Sequence, residues 1–294
     1  MTKISIIIVN YNGFKDTCEL LDCLGNHETI EIIVVDNTTG VNEAKLIKEL
    51  YPHIKEIRSE KNLGFAGGNN LGLAQATGDH IMLLNNDTIT SSTTILELSK
   101  TLEESKDIDI ICPILRFFDT GQIQYAGYTS ISPITGRNQC IRSYPVEPLQ
   151  STALPHGAAM MFTRKAFEVV GKMSEDYFLY YEEHDWAHRF RKNGFKCAVH
   201  AKSEILHKES ASVQKLNGLK LFYLTRNRIL FIKRNMPKIN QVLFMLFFTI
   251  FSIPKSVLVF SLRREWENMR VFMNGVKASG IWNGTTPVPH TKFQ

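Results

Sequence analysis

The sequence predicts an α/β fold built on a Rossmann-like, mostly parallel central sheet flanked by helices. Short apolar runs bounded by turn residues alternate with longer stretches of helical periodicity through the first half of the chain. The residues that follow successive apolar runs are unusually polar. In open sheets of this kind ligands bind outside the carboxyl ends of the strands, so those residues frame a candidate crevice. With 294 residues, 44% of them hydrophobic and 21% charged, the composition is that of a globular chain able to bury a core.

Taken in order, Ile4 to Val9, Glu31 to Val35, His80 to Leu84 and Ile108 to Leu115 have the length and apolarity of buried strands. Phe14 to Leu24, Asn42 to Leu50, Ala66 to Ala76 and Ser91 to Glu104 supply the helices that alternate with them. From Phe117 to Leu154 the pattern loosens into Gly, Pro, Thr and Ser with scattered aromatics, a long loop region or small hairpins. Ala158 to Thr163 is a returning strand, Arg164 to Val170 a helix stopped by Gly171, and Glu182 to Lys192 a helix stopped by Gly194. Ser203 to Leu206 is strand-like and ends at His207.

The strand ends are Asn10-Tyr11-Asn12, Asp36-Asn37 and Asn85-Asn86-Asp87. Asn and Asp favour turns for local reasons, so each alone is weak. Aimed together at one crevice, they make a site with hydrogen-bonding side chains and two carboxylates. The turn after the first strand holds a single glycine, Gly13, which tells against a dinucleotide-binding GxGxxG. Gly64, Gly67, Gly68 and Gly72 instead open a helix in Asn62-Leu63-Gly64-Phe65-Ala66-Gly67-Gly68-Asn69-Asn70. Such glycines allow either close approach to a diphosphate or close packing of the helix.

A second acidic cluster, Glu182-Glu183-His184-Asp185, follows the aromatic run Tyr177 to Tyr181 and opens a helix. At helical spacing Glu182 and Asp185 share a face, Asp185 reaches Arg189, and Glu183 points elsewhere. The helix dipole alone favours carboxylates there, so the cluster leaves Glu183, Glu182 and Asp185 all as candidates for a general base.

In their order and spacing these stretches resemble family 2 glycosyltransferases of the GT-A fold, in particular the bacterial rhamnosyltransferase-like members. The resemblance runs over about residues 3 to 235 and is carried by Ser5 to Asn12, Ile33 to Asn37, Asn62 to Asn70, Leu83 to Asp87 and Phe178 to Trp186. It implies a catalytic domain over 1–215, with a nucleotide-sugar donor half at 1–115 and an acceptor half at 116–215, followed by a helical extension at 216–294. It implies that Val9, Tyr11 and Asp36 hold the nucleobase and ribose, with Asn10, Asn12, Asn37, Asn62, Gly64, Gly67 and Asn69 around the donor. Asn85, Asn86 and Asp87 fall at the family's DxD position. Asp87 is the ligand expected for Mg2+ or Mn2+ there, and His207 completes the metal or diphosphate site. The two amides depart from DxD, because a neutral amide oxygen binds such ions poorly. A helix cap is the alternative role for Asp87. The general base of the family falls on Glu183, and His156, Gly157 and Trp186 fall on the acceptor side. The implied reaction is inverting transfer, with dTDP-rhamnose as first donor and UDP-sugars behind it, to a lipid-linked glycan in cell-surface polysaccharide synthesis.

Residues 1–200 carry 19 Lys and Arg against 25 Asp and Glu, whereas 201–294 carry 15 against 4, so the end of the chain is strongly basic. Apolar runs such as Leu243 to Phe248 do not suit an electrostatic groove, and nucleic acid is not expected. Val242 to Ile253 is interrupted at Pro254-Lys255 before Ser256 to Leu262 resumes, flanked by Lys233, Arg234, Lys238, Arg263 and Arg264. A peripheral contact of 236–264 with the inner face of the cell membrane, through an interfacial or re-entrant helix pair, is expected. The five cysteines form no CxxC pair, and the first apolar run is too short for an export signal, so a cytoplasmic chain is expected. Two rivals differ by feature. A sugar nucleotidyltransferase needs a glycine-rich, Lys- or Arg-bearing phosphate loop after the first strand, and a non-catalytic sugar-nucleotide-binding module needs no second acidic cluster.

Overall fold

In the computed structural model, which describes residues 2–208 and 217–280, β-strands and α-helices alternate in the expected order. They are β1 (Ile4–Asn10), α1 (Phe14–Leu24), β2 (Ile30–Asp36), α2 (Glu43–Leu50), β3 (Lys55–Arg58), α3 (Gly64–Leu73), β4 (His80–Leu84), β5 (Thr88–Ile89) and α4 (Ser92–Glu104). Then follow β6 (Ile110–Phe117), β7 (Ile123–Tyr125), β8 (Leu149–Ser151), β9 (Ala159–Thr163), α5 (Arg164–Val170), α6 (Glu182–Lys192) and β10 (Cys197–His207). All five cysteines are free thiols.

The main path of the sheet is β3-β2-β1-β4-β9-β6-β10-β5. Its first four strands are parallel, and the apolar runs of β1, β2 and β4 are buried on both faces. The expectation of a mostly parallel sheet holds there and in the β6–β10 pair. β9 runs antiparallel to both β4 and β6, and β5 runs antiparallel to β10, so the whole sheet is mixed. The run Ala158 to Thr163 marks a strand but carries no information on its direction. β3 escaped the sequence reading because Lys-Glu-Ile-Arg at a sheet edge makes no apolar run.

The glycines of α3 serve packing. A Cβ at Gly72 would stand 2.4 Å from Ile7 Cγ2, and one at Gly68 would stand 2.8 Å from Val9 Cγ1. The helix therefore lies directly on β1.

Beyond β10 come α7 (Asn217–Asn235), α8 (Lys238–Phe247), a π-helical turn at Phe248–Ser252, α9 (Ile253–Leu262) and α10 (Trp266–Ala278). The expected break at Pro254-Lys255 is absent, and Lys238–Leu262 forms one helix of 25 residues. The π turn widens the helix just before Pro254, where a prolyl ring would otherwise crowd the carbonyl one turn back. Ile229, Phe231, Ile232, Phe244, Phe248, Phe272 and Val276 share one apolar cluster with Tyr177 and Tyr181. The helices after residue 216 thus pack against the segment that leads into the acidic cluster. Residues 209–216 and 281–294, including part of the expected extension, lie outside the described residues.

Candidate active site

The first two strand ends are already bonded to one another. Asn10 donates to Glu43 Oε2 (2.7 Å) and Asp36 Oδ1 (3.2 Å) and accepts from the Thr17 hydroxyl (2.8 Å). Asp36, fully buried, accepts from the backbone N–H of Thr38 (2.9 Å) and Ala44 (3.0 Å) and pairs with Arg58 at 3.3 Å. These side chains fix the entries to α1 and α2. Tyr11 and Asn12 stand above them, exposed, with Asn12 in the left-handed region at φ 51°.

Asn37 is buried, its Nδ2 donating to the Gly64 carbonyl at 2.9 Å. Asn62 Oδ1 caps the Gly64 N–H at 2.9 Å. Gly67 and Asn69 do not meet the expectation of donor contact. A Cβ on Gly67 would meet Leu63 Cβ at 2.6 Å, and Asn69 is buried with its amide donating to the Phe65 carbonyl within its own helix. Both sit inside the packing of α3.

Strand pairing brings the third end to the last strand. His207 lies opposite Thr88 in the β10–β5 register, and Lys208 N–H donates to the Asp87 carbonyl at 2.9 Å. Lys208 Nζ then pairs with Asp16 and Glu19, each at 2.7 Å, tying this end to α1. As a result Asp87 Oδ1 and His207 Nε2 face one another at 3.2 Å, both residues buried. His207 Nδ1 lies 2.9 Å from Gln124 Oε1, which can accept a proton carried on Nδ1, and in the neutral ring that tautomer would leave the Nε2 lone pair toward the carboxylate. A carboxylate and an imidazole held from behind by Gln124 make a donor set that fits a divalent cation. Among the described residues no group of three or more His, Cys, Asp or Glu forms a complete cage. The helix-cap alternative for Asp87 does not hold, since Ser91 caps α4 by accepting from Thr94 N–H. Asn86 is turned toward α1, donating to Thr17 Oγ1 at 3.1 Å, and Asn85 N–H donates to the Ala158 carbonyl.

His156 joins the two sides of the crevice. Its ring lies edge-on to His207 at 6.2 Å between centroids and stacks on Tyr128 at 5.9 Å. Its Nδ1 accepts from Ala158 N–H at 3.1 Å, which places a proton of the neutral ring on Nε2. Burial, reinforced by the charge of His207, pushes its pKa down to about 3. Gly157 lies beside Glu183, at 3.9 Å from an ideal Cβ to Glu183 Cγ.

The three acidic candidates separate in space. Asp185 is buried and committed, accepting from the Tyr177 hydroxyl (3.1 Å), Asn235 Nδ2 (2.8 Å) and Arg189 Nε (3.0 Å). It holds α6 to α7 and faces away from the crevice, which removes it from the base candidates. Glu182 is buried, and burial together with the charge of Glu183 raises its pKa well above the carboxylate range. Burial also pushes the Glu183 carboxyl up, but the charge of His184, whose Nδ1 is 3.2 Å from Glu183 Oε1, outweighs it and holds the pKa below 4.5. The pKa values of two adjacent carboxyls are thereby pushed in opposite directions. Trp186 is another correction. It is fully buried, its indole N–H donating to the Gly171 carbonyl at 2.8 Å and its ring against Phe162 and Phe190, so it is core and does not face an acceptor.

The sequence reading missed the residues that support this arrangement. Phe178, Tyr180 and Tyr181, just before Glu182, all have left-handed φ values of 62°, 67° and 75°. Such conformations cost non-glycine residues about 1–3 kcal/mol each and persist only where the surroundings enforce them. Asn227, in the middle of α7, donates to the carbonyls of Tyr177, Leu179 and Tyr180. An Asn in a helical stretch carries no signal of that contact, but Thr-Arg-Asn-Arg on a largely apolar helix is a polar interruption that asks for a partner. Beside the base candidates a cavity of about 260 Å³ is lined by Ile131, Leu154, His184, His188, Arg191 and Phe231, among others.

A mixed α/β sheet with its strand ends opened to one side, and a carboxylate–imidazole pair there facing a second acidic cluster, defines the class of GT-A glycosyltransferases. The chain belongs to glycosyl transferase family 2, whose pattern matches residues 5–171. It is 27% identical over 245 residues to a low-salt glycan biosynthesis hexosyltransferase of Haloferax volcanii, covering 78% of this chain and 75% of that one. A dTDP-rhamnosyl transferase, RfbF, of Shigella flexneri is 22% identical over 266 residues, covering 84% and 87%. Among solved structures, the S. aureus TarS fragment 1–349 in complex with UDP-GlcNAc superposes with a TM-score of 0.60 at 16% identity, over 94% of this chain and 80% of that one. The mannosyltransferase PcManGT of Pyrobaculum calidifontis, in complex with GDP-Man and Mn2+, gives 0.59 at 14% identity, over 97% and 88%. The structural likenesses carry the fold, and the sequence matches carry the enzyme class: this chain is a glycosyltransferase.

Proposed function

We propose that the chain is an inverting transferase that moves a sugar from a nucleoside diphosphate to a hydroxyl of a lipid-linked glycan. The observation that carries this is the opposition of the Asp87–His207 pair and Glu183 across His156. One wall suits a departing diphosphate and the other suits removal of a proton. Glu183, ionised, takes the proton of the acceptor hydroxyl, that oxygen bonds to the anomeric carbon, and the bond to the diphosphate breaks on the opposite face. Asp87 and His207 would hold Mg2+ or Mn2+, which when bound supplies positive charge against the leaving diphosphate. Tyr11 and Asn12, exposed at the end of β1, would meet the nucleoside, with the buried Asn37 and with Val9, packed against α3, behind them and Asp36 and Asn10 fixing the crevice beneath.

The donor tried first is dTDP-rhamnose, followed by UDP-sugars. The name of the Shigella relative supports it, as does that of an N-acetylglucosaminyl-diphospho-decaprenol L-rhamnosyltransferase of Mycobacterium tuberculosis, 22% identical over 214 residues. The cavity beside His184 extends to Met236 and Asn240, at the foot of the long apolar helix, which suits a glycan whose lipid end lies along that helix.

Peripheral membrane contact at the inner face completes the reading. An 18-residue window of Lys238–Leu262 has a mean hydropathy of 2.1, and Val242, Leu246, Ile250, Phe251, Leu258 and Leu262 are all exposed. At 1.5 Å per residue its length is about 37 Å, enough to cross a core of about 30 Å, so length does not decide between lying and spanning. Packing favours lying. Phe244 and Phe248 are buried, Arg228 sits over both rings, and Phe260 meets Phe272, so the helix is held to the protein at these points while 11% of its apolar window is buried. Of the basic residues expected to face lipid, Arg234 pairs with Asp176 and Lys233 donates to the Gly280 carbonyl, leaving Lys238, Arg263 and Arg264 exposed.

The deciding experiment incubates the protein with dTDP-rhamnose, UDP-hexoses and UDP-galactofuranose, Mn2+ and a lipid-linked acceptor. Release of nucleoside diphosphate with a glycosylated product is expected. Release of pyrophosphate would identify a nucleotidyltransferase, and tight donor binding without release would identify a binding module.

A further inference from the structure

The segment that delivers Glu183 cannot hold its own shape. Three of the four residues from Phe178 to Tyr181 are non-glycine residues in the left-handed region, and no glycine lies between Tyr177 and Glu183 to relieve them. Something outside the segment must enforce its path. One contact comes from α3, where Phe65 N–H donates to the Phe178 carbonyl at 2.8 Å. The Tyr181 hydroxyl donates to the Gly136 carbonyl at 2.8 Å, the Phe178 ring stacks on Tyr223, and a single side chain of α7 holds three of the backbone carbonyls. Asn227 Nδ2 lies 2.9 Å from the Tyr177 carbonyl, 2.8 Å from that of Leu179 and 2.7 Å from that of Tyr180. Its Oδ1 accepts from Arg226 at 2.6 Å, and Arg226 also donates to the Asp176 carbonyl at 2.8 Å, so the guanidinium fixes which way the amide faces. Asn227 is fully buried.

We propose that Asn227, oriented by Arg226, is a positioning residue for sugar transfer: it holds the strained Phe178–Tyr181 segment and thereby sets Glu183 against the acceptor. The catalytic half of this proposal rests on Glu183 being the base, and the mechanical half does not. Asn227 is buried away from solvent and reaches the base only through the backbone. It acts three to six residues ahead of the carboxylate, through the carbonyls of Leu179 and Tyr180 and, shared with Leu179 N–H, that of Tyr177. A general stabilising role would slow unfolding of the whole molecule. A positioning role predicts a local loosening and a loss confined to turnover.

The test uses the full chain with Asn227→Ala, which suits a helix and removes all three bonds, and Asn227→Ser, which keeps one hydroxyl donor. Amide hydrogen exchange is followed by mass spectrometry in peptides spanning 176–184 and in β1 and β4. Asn227→Ala is expected to speed exchange in 176–184 at least about tenfold while β1 and β4 stay protected. Turnover is expected to fall about 100-fold, the scale of a displacement of about 1 Å at a reacting group, with donor KM within about twofold. Asn227→Ser falls between. Adding Tyr180→Gly, which takes positive φ without strain, is expected to recover a substantial part of the lost turnover in Asn227→Ala. Unchanged exchange in 176–184, or an equal rise in β1 and β4, would overturn the proposal, as would a rise in donor KM matching the loss of turnover. Should the unsubstituted chain transfer no sugar, the reading of Glu183 fails by itself, and the exchange data still decide whether Asn227 holds the segment.

Discussion

The two walls of the crevice are made in different ways. On the donor side, Asn10, Asp36, Asp87 and His207 stand at the ends of sheet strands, where backbone pairing fixes their positions and the buried polar groups bond to one another. On the base side, Glu183 sits at the start of α6 after a loop in unfavourable backbone conformations, braced from α3 and α7. A site built on strand ends is rigid through local pairing. One built on a strained loop is rigid only while distant segments hold it. Substitutions on the two sides should therefore act on different quantities, binding on one and turnover on the other.

The largest expected effect breaks the comparison if it fails. Glu183→Gln keeps size and removes the base, and turnover is expected to drop about 10²–10⁴-fold, read as nucleoside diphosphate release under saturating donor. The same carboxylate sets the acid limb of the pH profile. Because its pKa is held below 4.5, transfer persists through neutral pH and is lost only as pH falls through that lowered value. Trp186→Ala is expected to cost about 3–5 kcal/mol of stability in denaturant titration, with acceptor KM unchanged at temperatures where it stays folded, because the ring is core.

His156 ties the two walls and sharpens the comparison through stability. Its proton is taken up near 6.5 when unfolded and only near pH 3 when folded, so the unfolded chain binds more protons between those values. Stability contributed by the neutral ring is present above 6.5 and lost as pH falls through this window, by up to about 1.4 kcal/mol per pH unit. His156→Asn is expected to flatten that limb in thermal melts taken from pH 7 to 4. The smallest effect is assigned to Glu182→Gln. Burial and the charge of Glu183 raise the pKa of this carboxyl and so favour its neutral form, and a neutral amide in its place is expected to change turnover by less than about tenfold. A loss equal to that of Glu183→Gln would exchange their roles.

The strands of the donor side were legible because a strand buried on both faces must be an apolar run, and because Asn and Asp after such runs mark its carboxyl end. The pairing of Asp87 with His207 was legible only through resemblance, since 120 residues separate them and the β10–β5 register that joins them has no local signature. The use of the α3 glycines was open in sequence, as glycine permits close approach without naming what approaches. Asp185 and Trp186 looked functional because they stand in an acidic, aromatic cluster, yet helical geometry turns both inward. Asn227 was invisible because its partners are backbone carbonyls, which every sequence possesses.

Donor binding by calorimetry is the most direct measurement of the division between the two walls. Nucleoside diphosphate is titrated into the unsubstituted chain, Asp87→Asn and Glu183→Gln, each with Mn2+ and then with excess chelator. Glu183→Gln is expected to bind as the unsubstituted chain does, with the same gain from Mn2+, while Asp87→Asn loses that gain. Equal weakening in both variants, or a gain from Mn2+ that survives Asp87→Asn, would contradict the account.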